Sequence, residues 1–130
     1  RRRLSTKSNG VSYITQRAAC ATFLEESVKS IQTVIAAYHS NAVMLKKFLS
    51  VYSEKIYGAD HSPYVWFKCP FGMNSWEFFH LLLNKAAIVG TPGIGFGDAG
   101  DGFFRFSAFC EESNLKEAIN RMDVIFRKGL

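Results

Sequence analysis

From about Glu25 to Ser53 the apolar residues Ile31, Val34, Ile35, Tyr38, Ala42, Leu45, Leu49 and Tyr52 step mostly by three and four. That spacing keeps them on one stripe of a 3.6-residue helix, which commits the chain to a long amphipathic helix with an apolar face to cover. Glu25 and Glu26 suit the N-terminal end of its dipole, and Lys46, Lys47 and Lys55 lie toward the other end. Gly58 is placed to help end it.

A shorter helix is expected before it, from about Asn9 to Phe23, on Val11, Ile14, Ala18 and Ala21. Its second half is rich in small residues, a slim face that another element can approach closely. A strand is expected at about Tyr64 to Cys69, between Pro63 and Pro70. Ser75 can cap a helix running through Asn84, with Phe78, Phe79, Leu82 and Leu83 as its apolar side. Ile88-Val89 reads as a short strand, Gly90 to Gly102 as a glycine-rich loop, and Phe103 to Phe109 as a strand. Ser113 then caps a last helix whose Leu115, Ala118, Ile119, Met122, Ile125 and Phe126 share one side. The order α-α-β-α-β-β-α is α+β, a small sheet of about three strands with helices packed over one face.

The chain's 130 residues make one domain, and 48% hydrophobic residues can form a core without disulfide or metal staples. No apolar run approaches the roughly 20 residues of a membrane span. The start, Arg1-Arg2-Arg3-Leu4, has no initiator Met and no signal-peptide core, and it reads as opening inside a longer sequence. The net charge is +5, but without those three arginines 13 basic residues face 11 acidic ones. A basic tip on an ordinary surface is a weak argument for nucleic acid. Cys20, Cys69 and Cys110 are far apart, form no CxxC and stand at no ligand spacing from His39, His61 or His80. That pattern argues against zinc and for buried, reduced thiols.

Gly95, Gly97 and Gly100 spell GxGxxG. A dinucleotide fingerprint follows a strand and opens a helix, whereas these glycines run into the strand-like Gly102-Phe103-Phe104-Arg105-Phe106. The loop reads either as a plain connection or as backbone shaped to pass beside a ligand. Strand alternation puts Phe104, Phe106 and Ala108 on one face, and Phe103, Arg105, Ser107 and Phe109 on the other. A lone arginine among aromatics is a structural ion pair, an exposed edge residue, or a carboxylate receptor. In the last role its planar fork grips both carboxylate oxygens, and the flanking rings exclude water.

Three stretches together resemble the LL-diaminopimelate aminotransferases, within the fold-type I pyridoxal-phosphate enzymes. The first is Thr6-Lys7-Ser8-Asn9-Gly10-Val11-Ser12-Tyr13-Ile14-Thr15-Gln16-Arg17. The second is Ala59 to Lys68, with Pro63-Tyr64-Val65-Trp66 at its centre, followed by Ser75-Trp76-Glu77-Phe78-Phe79. The third is Gly90-Thr91-Pro92-Gly93-Ile94-Gly95-Phe96-Gly97, leading into Gly102 to Phe109. Ser8, where the family often has an aromatic, and Cys110, where glycine is common, depart from the pattern.

The resemblance implies the C-terminal small domain of a transaminase over residues 1–130, with residues 1–24 leading in from the large domain. It implies pyridoxal 5'-phosphate as cofactor, amino acids and 2-oxo acids as substrates, and a homodimer that completes the site. Arg105 matches the family arginine for the substrate α-carboxylate. Asn9 matches an asparagine near cofactor and substrate, contributed across the dimer interface. The cofactor lysine would lie upstream, because no phosphate-binding Gly-x-Arg-x-Gly stretch follows Lys7; this piece alone would be inactive. The implied compartment is the bacterial cytoplasm, or the plastid stroma of a plant or alga. Two other readings stand beside this one: a non-catalytic interaction domain with the same fold, and an RNA-binding module. The latter rests on a faint RNP1-like strand, but the two opening helices and the missing second aromatic motif count against it.

Overall fold

The structure, a computed structural model, describes residues 6–7 and 10–127. The chain divides into two units, Arg1–Ile35 and Ala36–Leu130. The first holds helix α1, Tyr13–Ala21, and the start of helix α2, Glu25–Leu49. No residue of α1 is buried, and Val11, Ile14, Phe23, Leu24 and Ile31 are exposed. Cys20 is exposed too, contrary to its expected burial, whereas Cys69 is buried and Cys110 is half-buried. The apolar stripe of α2 forms as its periodicity requires, with Ala42, Leu45 and Leu49 buried. The helix stops at Leu49, earlier than expected. Gly58 has a different duty: its φ is +89°, and a Cβ there would run into the carbonyl of Tyr64, so it turns the chain out of a strand.

In Ala36–Leu130 four strands make one antiparallel sheet, β1 (Ile56–Gly58), β2 (Tyr64–Lys68), β3 (Thr91–Pro92) and β4 (Phe103–Ser107), in the order β1-β2-β4-β3. The expected three strands become four. β1 lies along β2 with Tyr57 opposite Trp66, and β4 lies on the other side of β2 with Arg105 opposite Trp66. The short strand expected at Ile88-Val89 is displaced to Thr91–Pro92, which pairs with Arg105 and Phe104. Ala87 takes the left-handed conformation at the end of the preceding helix, so the chain is still turning at Ile88.

Helix α3 (Ser75–Leu81) runs on into a wider turn, Leu82–Ala86, and helix α4 covers Glu112–Arg127. Asn74, not Ser75, is the cap of α3. Its side chain accepts from the amides of Trp76 and Glu77, and Glu77 accepts from the Asn74 amide, a complete capping box. Similarly, Ser113 lies inside the first turn of α4 instead of capping it. The alternation of β2 and β4 buries Val65, Phe67, Phe104 and Phe106. These pack with Leu45 and Leu49 of α2, Phe78 of α3 with Leu82 just beyond it, and Leu115, Met122 and Phe126 of α4. Helices thus cover one face of the sheet, and the opposite face carries the site.

Candidate functional site

That opposite face presents Tyr64, Trp66 and Lys68 from β2, and Phe103, Arg105 and Ser107 from β4. Arg105 is half-buried, at the strand position where alternation puts it. Its guanidinium carbon lies 4.4 Å from the centre of the Tyr64 ring and 4.5 Å from that of Phe96. Phe96 also meets Trp66 edge-on, with centroids 5.1 Å apart, and Tyr64 meets Phe109 at 5.7 Å. A guanidinium is weakly hydrated on its faces, so rings can flank it while its N–H donors stay available in the plane.

Among the described residues no carboxylate pairs with Arg105. Of the three roles its sequence setting leaves open, the internal ion pair finds no partner among the described residues. Arg105 also contributes to an open cleft of about 400 Å³ at the β3–β4 edge, which lies toward the helix-covered face, with Ile88, Thr91, Leu115 and Met122 in its walls, and does not include Tyr64 or Phe96.

The glycine loop owes its shape to a close approach. Gly93 and Gly100 pass so near that a Cβ on either would strike the other's carbonyl. A Cβ on Gly93 would also lie 2.6 Å from the Phe103 carbonyl oxygen. Between these two glycines the chain makes two tight turns, Gly93–Phe96 and Asp98–Gly100, and puts Phe96 at the tip. Gly97, at φ +118°, separates the turns. The buried Ser75 fastens the base of the loop: its hydroxyl donates to the carbonyls of Phe103 (2.8 Å) and Gly100 (3.3 Å). Asp101 adds a second tie by accepting from the amides of Ser75 and Gly102, which hold its carboxyl below the usual range. The tip residue of this segment stands on the arginine.

Tyr64 and Phe96 were invisible to strand-by-strand reading. Tyr64 reaches Arg105 diagonally across a strand pairing, and Phe96 reaches it by the return of a loop. Asn9, the other expected site residue, lies outside the described residues. Lys7 is exposed. Among the described residues no group of three His, Cys, Asp or Glu side chains could hold a metal, and no helix is long and apolar enough to cross a membrane.

The pyridoxal phosphate implied by the resemblance needs a lysine, an acid for its ring nitrogen and a phosphate cradle. The described residues of the second unit, 36–127, do not supply these around Arg105. Lys68 lies over the Phe103 ring, and the Asp101 carboxylate is engaged by backbone amides.

No family model matches the chain. By fold it is a domain of the fold-type I aminotransferase kind. It matches the aromatic aminotransferase of Pyrococcus horikoshii with a TM-score of 0.78 at 27% identity, over 85% of this chain and 30% of that one. More closely, the chain is similar to LL-diaminopimelate aminotransferases along nearly its whole length. It is 52% identical to that of Prochlorococcus marinus over 124 residues, which are 95% of this chain and 30% of the relative. The structure of the Chlamydomonas reinhardtii enzyme matches with a TM-score of 0.88 and 38% identity, over 96% of this chain and 30% of that one. The chain thus spans about a third of the length of the relatives it matches.

Proposed function

We propose that this chain is the C-terminal small domain of a pyridoxal-phosphate-dependent LL-diaminopimelate aminotransferase of lysine biosynthesis, and that Arg105 is its receptor for the substrate α-carboxylate. The observation that carries this reading is a half-buried guanidinium held against Tyr64 and Phe96, with no carboxylate among the described residues paired to it. The family likeness supports the reaction class, and the length of the relatives supports a larger cofactor-binding domain as partner. Residues 1–24 would lead in from that domain, and the exposed apolar residues Val11, Ile14, Phe23 and Leu24 suit such a junction. Asn9 would serve cofactor and substrate across a homodimer interface. By the same likeness the compartment is the bacterial cytoplasm or the plastid stroma.

Pyridoxal phosphate, bound mainly by the large domain, supplies the electron sink for moving the amino group. The part of this chain is positional. The in-plane donors of Arg105 take both oxygens of the α-carboxylate, each charge-assisted bond contributing about 1.5–3 kcal/mol. Gripped at two points, the substrate cannot swivel, and its Cα–H bond is kept in line for deprotonation. Flanking rings keep water from competing for the same donors. In the full-length enzyme Arg105→Lys is expected to lower kcat/KM by roughly 10²–10⁴, because the charge stays and the fork is lost. An unchanged kcat/KM would remove Arg105 from substrate binding.

A further inference from the structure

We infer that Phe96 is a positioning residue: its ring sets the plane in which the Arg105 guanidinium meets the carboxylate. This rests on the reading of Arg105 given above and adds a residue to it. Phe96 is 52% exposed, yet its ring lies under the guanidinium at 4.5 Å and edge-on to Trp66 at 5.1 Å. A large apolar ring at a loop tip would ordinarily bend inward to the core or lie free. Here two contacts on the site face hold it.

The loop is built to hold the ring there. The neck at Gly93 and Gly100 closes only because neither residue has a Cβ. The turn is locked by the Gly97 amide donating to Ile94 (3.0 Å) and the Gly100 amide donating to Gly97 (2.8 Å). Tyr64 is fixed by strand pairing, so one ring comes from the sheet and the other from the loop. The flexible arginine stem would otherwise let the fork rotate among several orientations. With a ring against its face, the guanidinium keeps its donors directed outward in one plane, and a carboxylate meets an oriented fork.

The test uses the full-length protein labelled with ¹⁵N-arginine, in which the Arg105 Nε–H signal is assigned by its loss in Arg105→Lys. Glutarate, a carboxylate without an amino group, is the probe. Phe96→Leu is expected to weaken glutarate binding about 3- to 30-fold and to speed solvent exchange of the Arg105 Nε–H, whereas Phe96→Tyr keeps both near the wild-type values. The loss in turnover should appear in KM and in kcat together, because the fork both holds the carboxylate and keeps the Cα–H bond in line. Equal binding by Phe96→Leu and wild type, or equal losses in Phe96→Leu and Phe96→Tyr, overturns the role of the ring. If Arg105→Lys also leaves glutarate binding intact, the reading of Arg105 itself falls; if only Phe96 proves indifferent, that reading survives.

Discussion

Adding one methyl group at Gly93 should cost more than adding one at Gly95, two residues along the same loop. Neither glycine has a positive φ, so the contrast is one of space alone. A Cβ at Gly95 meets nothing within 4 Å, whereas one at Gly93 collides with the Gly100 carbonyl and lies 2.6 Å from the Phe103 carbonyl oxygen. Both obstacles are backbone. One begins β4, and the other is tied to Ser75, so neither can swing aside as a flexible side chain would. Forcing a methyl into so closed a space costs about 1–3 kcal/mol. Gly95→Ala should be neutral or stabilising by up to about 1 kcal/mol, through loss of freedom in the unfolded chain. With an m-value of about 1–3 kcal/mol/M in urea, the Gly93→Ala midpoint should fall by on the order of 1 M while that of Gly95→Ala stays or rises. Two-state urea unfolding of both variants is the assay. Equal midpoints would mean that the loop neck is not closed, and the seat of Phe96 on Arg105 would lose its cause.

Other parts of the fold carry further outcomes. Asn74→Ala removes the acceptor for the Trp76 and Glu77 amides and should destabilise the protein by about 1 kcal/mol in the same assay, with Asn74→Asp close to wild type. Burial pushes the Cys69 thiol up to about 12 from an ordinary value of 9.0. Its folded-state pKa is raised, so the stabilising effect is complete below pH 9 and is lost as pH rises from there toward 12. In native protein at pH 8 an alkylating reagent should modify the exposed Cys20 and spare Cys69 until urea is added. Modification of both at one rate would contradict the packing beneath β2.

The parts of this fold that sequence makes legible are those where one period runs long enough to be counted. The Ala42, Leu45 and Leu49 stripe and the Leu115, Met122 and Phe126 stripe are buried as their spacing requires. Alternation in β4 places Arg105 on the face opposite the core. Short elements carry no such signal. The three residues of β1 offer no alternation to read, and β3 is two residues long because its existence depends on the partner strand. The α3 cap was readable and misplaced: Asn74 with Glu77 three residues on is the capping-box pattern, and the adjacent Ser75 draws attention from it. Ser75 instead serves the loop, a tertiary task with no local signature.

The site divides in the same way. Its charge could be found from one strand, but the rings that aim it come from a diagonal strand neighbour and from a loop closed by two glycines 7 positions apart. Such residues show only when strand register and loop closure are known together. That is also why GxGxxG misleads here as a local motif: the decisive glycine pair is Gly93 and Gly100, selected by mutual approach.

The claim on which the account turns is that Arg105 receives an amino acid's carboxylate, and the most direct check is to watch that side chain during binding. In the full-length protein labelled with ¹⁵N-arginine, L-lysine and cadaverine, its counterpart without the carboxylate, are added in turn. The Arg105 Nε–H resonance is expected to shift, with slowed solvent exchange, on addition of L-lysine and to stay in place with cadaverine. The same response to both compounds, or none to either at saturating L-lysine, would contradict that claim.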